Sequence, residues 1–162
     1  MSSKIIAPVA AGVLLAVAGA AHAATKTTTF LVSANVTENC VISAGDLAFG
    51  DFDGTNDRLV NSTITVRCTD GTSFDVALNT GSSGTFTARE LVGAGPQPLF
   101  YNLYTDAARN NVWDDTNVGS GIGGGMANPV NLTVYGELLA VDNQGQFDAG
   151  LYTDTITATI EY

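Results

Sequence analysis

Hydrophobic and polar residues alternate with a period of two over most of this chain. The alternation is clearest in five segments, residues 60–68, 74–78, 99–103, 130–138 and 156–162. Because successive side chains of a β-strand point to opposite faces, each segment is predicted to be a strand with one apolar face. Weaker strands are predicted at 40–43 and 47–52. No long stretch shows the 3.6-residue period of a helix.

Glycine-containing turn signals separate the predicted strands, for example Asp53-Gly54, Asp70-Gly71 and the run over 119–125. About seven one-sided strands joined by such turns predict an all-β fold, an immunoglobulin-like β-sandwich of two sheets. The chain has 162 residues, of which 45% are hydrophobic, and this is sufficient for one domain with a buried core.

A short apolar segment at the N-terminus predicts a secretory signal peptide. Lys4 precedes an apolar run over 5–21, which ends in Ala21-His22-Ala23, a small-x-small cleavage pattern. The run has 17 residues, whereas a membrane-spanning helix needs about 20. We therefore expect residues 1–23 to be cleaved off, after Ala23 or Ala24, and we expect no membrane span in the mature chain.

Charge and composition exclude several classes of function. Cleavage of the signal leaves five basic residues against sixteen acidic ones, a formal net charge of −11. An acidic protein repels the phosphate backbone, so nucleic-acid binding is excluded. The single histidine, His22, is lost with the signal, which excludes Ser-His, Cys-His and histidine–metal chemistry. We therefore expect a protein that is not an enzyme and that carries no cofactor.

Three further features resemble functional sites. The run 51–57 has the composition of a calcium loop but lacks the glycine and glutamate that such loops require, which favours a solvated hairpin. Asp114 and Asp115 are adjacent and would point to opposite faces of a strand, which favours a polar loop. Trp113 is either a sugar-stacking platform or, as a lone tryptophan in an all-β domain more often is, a core or subunit-contact residue.

Two cysteines remain in the mature chain, Cys40 and Cys68. An exported protein matures in an oxidising compartment, where an even cysteine count implies a disulfide, and with two cysteines the pairing is fixed. Loop-closure entropy predicts that this bridge stabilises the domain by about 3–4 kcal/mol. The long separation of the two cysteines and the absence of histidine argue against a reactive or metal-binding pair.

The segment over 24–37 precedes the first cysteine and also alternates. One face carries Thr28, Phe30, Val32, Ala34 and Val36, and the other carries Thr27, Thr29, Leu31, Ser33 and Asn35. This pattern predicts a strand of about ten residues. Two interpretations stay open at this point: the first strand of the chain's own sandwich, or a strand donated to a neighbouring molecule.

Several short sequence blocks occur in an order and at a spacing that are typical of one protein family. They are Thr29–Ala34, Leu47–Gly50, Tyr101–Arg109, Val134–Gly136 and Gly150–Asp154, of which Tyr101–Arg109 is the most specific. Through them, residues 26–162 resemble the spore coat protein U domain family. This family includes the major pilins of archaic (Csu-type) chaperone–usher pili.

The resemblance implies a mechanism of assembly. The sandwich over 38–162 would be incomplete, would present a hydrophobic groove and would be completed by a donated strand. A periplasmic chaperone would fill the groove first. At the outer-membrane usher, the N-terminal donor strand over 24–37 of the next identical subunit would replace it. The product would be an extracellular, adhesive surface pilus that supports attachment and biofilm formation. The alternative is a secreted stand-alone β-sandwich that binds carbohydrate or a surface polymer.

The resemblance also implies roles for particular residues. Cys40 and Cys68 match the family's cysteine pair. The face of the donor strand that enters the groove would be formed by Thr28, Phe30, Val32, Ala34 and Val36. The strand that lines the groove and pairs with the chaperone would present Ile156, Ala158, Ile160 and Tyr162. Better-known pilins carry an aromatic residue next to last, whereas here Tyr162 is last.

Overall fold

The structure is a computed structural model that describes residues 23–93, 95–145 and 147–162. The predicted signal peptide, apart from Ala23, lies outside these residues. The chain divides after Ala34, and the β-sandwich belongs to the unit that begins at Asn35. No helix in the described part of the chain is both long enough and apolar enough to cross a bilayer.

Eight strands form within the described residues. They are β1 (Cys40–Ala44), β2 (Arg58–Cys68), β3 (Ser73–Leu78), β4 (Arg89–Leu91), β5 (Leu99–Tyr104), β6 (Gly119–Ile122), β7 (Val130–Leu138) and β8 (Ala158–Glu161). Every pair of neighbouring strands is antiparallel. The strands make one sheet of order β1-β2-β7-β5-β4 and a smaller sheet of order β6-β3-β8. The predicted all-β sandwich of two sheets is confirmed.

The core lies between the inner faces of the two sheets. The larger sheet contributes Ile64 and Val66, and the smaller sheet contributes Phe74 and Val76, all of them buried. Trp113 is 1% exposed, and its indole N–H donates a hydrogen bond to the Val76 carbonyl at 2.7 Å. Trp113 is therefore a core residue, and the sugar-stacking interpretation of it is wrong.

A disulfide joins Cys40 to Cys68, as predicted. The two residues face each other directly across β1 and β2. Their neighbours 39 and 69 are hydrogen-bonded, since the Thr69 N–H donates to the Asn39 carbonyl at 2.9 Å. The cysteines therefore occupy the narrow, non-hydrogen-bonded position of an antiparallel pair, with their Cα atoms 4.1 Å apart. The bridge fixes the register of the edge strand β1.

Loss of this bridge is expected to destabilise the domain strongly. We expect Cys68→Ser to lower the free energy of unfolding by about 3–4 kcal/mol, because the unfolded chain regains the entropy of an open loop. Denaturant unfolding measures this change, and the double variant Cys40→Ser/Cys68→Ser should match the single one. The intact mass of non-reduced protein should lie two hydrogens below the reduced mass. Two titratable thiols in the native protein would contradict the prediction.

The predicted strand at 47–52 is wrong. Leu47 and Phe49 are half-buried and pack against the core, but the segment joins neither sheet. Gly136 on β7 explains the packing, because a Cβ added there would lie 2.9 Å from the Leu47 side chain and 3.3 Å from the Phe49 ring. The sequence alternates here because Leu47 and Phe49 pack into the space beside Gly136. The segment has no hydrogen-bonded ladder with either sheet.

Two strands were not predicted from the sequence, β4 and β6. In β6, a Cβ at Gly119 would lie 2.5 Å from the Trp113 ring, and a Cβ at Gly121 would lie 2.5 Å from the Phe74 ring. These glycines allow the strand to approach large aromatic core residues. The sequence predicts a turn over 119–125 because glycine usually signals one, whereas in the structure glycine permits close approach of a strand.

Candidate functional site

The inner face of β8 and of the residues leading into it carries three of the four side chains assigned to the groove. Ile156, Ala158 and Ile160 are half-buried and pack against the core, while the threonines between them are exposed. Tyr162 is 56% exposed and lines an open surface cavity beside Phe74 and Ile122. The structure thus brings the first three side chains together at the core and places Tyr162 outside it.

One edge of β8 is free of a strand partner within the described residues, because β8 pairs only with β3. The Asn79 N–H donates to the Thr157 carbonyl at 3.0 Å, so the hydrogen-bonded positions of this antiparallel pair fall on odd-numbered residues of β8. The backbone N–H and C=O groups of Ala158 and Ile160, and of Ile156 just before the strand, point to the free edge. The residues with inward side chains therefore offer the unpaired backbone groups.

The strand β1 presents a second free edge of the same kind. Its ladder with β2 continues at Gly45, whose N–H donates to the Thr63 carbonyl at 2.9 Å. Odd-numbered residues therefore bond to β2, and the backbone groups of Cys40, Ile42 and Ala44 point away from it. Cys40 and Ile42 are also half-buried against the core. Natural proteins usually cover exposed sheet edges of this kind.

The edges of β1 and β8 are close but not bonded. Cα atoms of the two strands approach within 8 Å, yet the strands belong to different sheets and share no ladder. A strand that pairs with both edges needs two inter-strand spacings of about 4.8 Å each. An incoming strand must therefore separate the two edges where they are closest.

The C-terminal segment changes sheets just before β8. Thr153 exchanges two backbone hydrogen bonds of 2.9 Å with Val92, next to β4 of the larger sheet, and Thr157 begins the pairing with the end of β3. Between these points the Asp154 carboxylate accepts a hydrogen bond from the Tyr101 hydroxyl at 2.7 Å and another from the Ser82 N–H at 3.0 Å. Burial, together with the bond to Asp154, raises the pKa of Tyr101. The Tyr101 hydroxyl therefore stays protonated, and its hydrogen bond to Asp154 fixes the chain where it passes from the larger sheet to the smaller one.

The residues assigned as the donor strand lie outside the sheets. Residues 27–36 form no strand and join neither sheet in the structure, so the strand predicted over this segment is not part of the described sandwich. Thr28 and Ala34 are exposed, and Phe30, Val32 and Val36 are 79–85% exposed. Leu31 on the opposite face is 90% exposed. Apolar side chains so exposed are available to another molecule.

The acidic features singled out in the sequence are explained by local turns. The carboxylate of Asp53 accepts hydrogen bonds from the Thr55 N–H at 2.9 Å and from the Thr55 hydroxyl at 2.8 Å. These bonds lower the pKa of Asp53 to about 2. Asp114 likewise accepts bonds from the backbone N–H groups of Thr116 and Asn117. In the described ranges, no three acidic, cysteine or histidine residues form a group that could hold a metal ion.

Sequence reasoning missed one residue at this site, Arg89 on β4. It is 0% exposed and donates hydrogen bonds to Asn79 at the end of β3. A single arginine in a short segment between turns is most often on the surface, and no local pattern distinguishes a buried one. Its position depends on residues that are distant in the sequence.

The fold and the free edges of β1 and β8 define a class of protein, an all-β sandwich in which these two edge strands each lack a second strand partner among the described residues. The family model named Spore Coat Protein U domain matches residues 26–159. Protein U of Myxococcus xanthus is 31% identical over 179 aligned positions, which cover 97% of this chain and 96% of that protein. The chain belongs to the spore coat protein U domain family, as the sequence blocks predicted.

A solved structure with a similar fold is the CsuC–CsuE chaperone–tip adhesion subunit pre-assembly complex from archaic chaperone–usher Csu pili of Acinetobacter baumannii. The TM-score is 0.56 at 23% sequence identity. The match covers 78% of this chain and 40% of that chain, so this chain spans less than half of the solved chain that it matches. The likeness concerns the fold.

Proposed function

We propose that the chain is a structural subunit of an adhesive surface pilus, assembled by the chaperone–usher pathway through donor-strand exchange. One observation carries the proposal: the free edge of β8 lies beside a half-buried apolar face. The same chain supplies an exposed alternating segment, residues 27–36, that forms no strand of its own. The free edge of β8 in one copy of the protein could therefore pair with residues 27–36 of another copy.

Two kinds of contact would stabilise the joint between subunits, namely apolar burial and backbone hydrogen bonds. Burial of Phe30, Val32 and Val36 in a neighbour would contribute about 1.5–3 kcal/mol each. Each new backbone hydrogen bond would add a net contribution of about 0.5–1.5 kcal/mol. Ala158 and Ile160 on β8, with Ile156 just before it, would offer several such bonds. Against these gains stands the entropy of ordering a segment of about ten residues, which costs about 1–2 kcal/mol per residue. Many simultaneous contacts along the whole donated strand are therefore needed.

The proposal implies particular partners and a location. The free edge would be covered by a periplasmic chaperone before assembly, and by the donor strand of an identical subunit afterwards, at an outer-membrane usher. The chain would be exported through the periplasm and would act at the cell surface, in attachment and biofilm formation. Its role would be structural and not enzymatic. The family membership, and a fold shared with a chain of a chaperone–tip adhesion subunit complex from chaperone–usher pili, support this assignment.

Deletion of residues 24–36 tests the proposal. We expect the shortened chain to fold on its chaperone, because the core and disulfide lie C-terminal to the deletion. It should form no multimers, since no strand is left to donate. Electrophoresis of unheated samples and electron microscopy distinguish fibres from monomers, with the full-length chain as control. Multimers of normal length from the shortened chain would contradict the proposal.

A further inference from the structure

Arg89 is an unusual core residue, because its charge is buried without an acidic hydrogen-bond partner. Its guanidinium donates to the Asn79 carbonyl from Nε at 3.1 Å and from Nη2 at 2.9 Å. It also donates to the Trp113 carbonyl at 2.7 Å and to Asn102 Oδ1 at 2.8 Å. These acceptors are all neutral, and burial of a guanidinium among them is expensive even with carboxylates nearby. Stability alone is therefore a poor explanation for an arginine at this position.

The bonds of Arg89 fall where the regular pairing of β3 with β8 ends. In a regular ladder the Asn79 carbonyl would accept the Thr157 N–H, since the Asn79 N–H already donates to the Thr157 carbonyl. Arg89 takes that carbonyl, and the Thr157 N–H bonds to Asn79 Oδ1 at 2.9 Å instead. The regular pairing of β3 with β8 thus ends at this pair. Ile156, the next residue upstream, lies where the free edge begins.

The donor segment itself does not define a unique register. Its inward positions are two residues apart, and most of them carry small or apolar side chains (Thr28, Phe30, Val32, Ala34 and Val36). A slip of one residue would turn the polar face inward, but a slip of two residues keeps the apolar face inward. The acceptor must therefore distinguish between registers two residues apart. The upstream end of its free edge is one structural boundary that can do so.

We propose that Arg89 is a positioning residue for strand donation, which fixes the start of the free edge at Ile156 and thereby the register of the incoming strand. The inference rests on the proposed function. The guanidinium fork binds one carbonyl at the end of β3 twice and reaches β5 and Trp113 with its remaining donors. A lysine keeps the charge but lacks this planar fork.

Disulfide trapping in fibres of the full-length chain tests the register. Thr159→Cys provides an exposed thiol on β8, at a position that would be non-hydrogen-bonded relative to an incoming strand, as the native cysteine pair is. It is combined in turn with a cysteine at each outward donor position, namely Thr27, Thr29, Leu31, Ser33 and Asn35. Non-reducing gels show intersubunit bonds, and mass spectrometry of linked peptides identifies each pair. With Arg89 present, we expect one donor position to dominate.

The same series in the Arg89→Lys background is expected to lose this preference. The ratio of the dominant bond to the bond two residues away should fall about tenfold, which corresponds to about 1.4 kcal/mol. Arg67→Lys, which alters an exposed arginine of β2, should leave the pattern unchanged. An unchanged pattern in Arg89→Lys would overturn the proposal. So would failure of both Arg89→Lys and Arg89→Met to fold, because Arg89 would then be required for the fold. Absence of intersubunit bonds with Arg89 intact would instead contradict strand donation.

Discussion

Phe30→Asp is expected to abolish fibre formation while leaving the subunit folded. Phe30 is 85% exposed within its own chain, so a carboxylate at this position removes no core contact. Assembly would place that carboxylate in the apolar groove of a neighbouring subunit. Burial of an unpaired charge there costs several kcal/mol, and the Phe30 side chain's own contribution of about 1.5–3 kcal/mol is lost as well.

Leu31→Asp is the matched control for this prediction. Leu31 is adjacent, equally apolar and 90% exposed, but it lies on the opposite face of the donor segment. Its carboxylate would point to solvent after assembly, so fibres should still form. Electron microscopy measures fibres, and immunoblotting measures the amount of periplasmic subunit. The donor-face assignment fails if Leu31→Asp blocks assembly as completely as Phe30→Asp, or if Phe30→Asp removes the folded subunit.

Strong alternation allowed the long strands to be predicted, because one face of each packs against the core and the other is exposed. The predicted segments at 60–68 and 130–138 correspond to β2 and β7, the central strands of the larger sheet. The prediction failed where glycines carry the packing. Gly119 and Gly121 allow β6 to approach aromatic core residues, and such a strand has no apolar side chain on its inner face by which to recognise it.

The candidate site was only partly predictable for a related reason. The inward face of Ile156, Ala158 and Ile160 follows from local alternation, and the structure places these side chains against the core. The free edge beside them depends on which strands pair, and pairing is a long-range property of the fold. Arg89 was unpredictable because its hydrogen-bond acceptors come from three distant segments. Neither feature leaves a signal within a short sequence window.

Ile160→Asp is expected to remove the folded subunit altogether. Ile160 is half-buried on the inner face of β8 and stands directly opposite Val76, which is 0% exposed. A carboxylate there would face the core without a partner, at a cost of several kcal/mol. A typical domain is stable by only about 5–15 kcal/mol, so this cost is a large fraction of the free energy of unfolding. Immunoblotting of periplasmic extracts should therefore show little intact protein.

Thr159→Asp provides the comparison on the same strand. Thr159 is exposed, its side chain points away from the core, and its backbone groups are directed to β3. The same charge at this position should leave the amount of subunit close to normal, because solvent hydrates the carboxylate. The contrast between neighbouring residues separates burial of the inner face from a general sensitivity of the strand to negative charge. Normal accumulation of Ile160→Asp would show that the inner face of β8 tolerates solvent, and an apolar groove could not then be built on it.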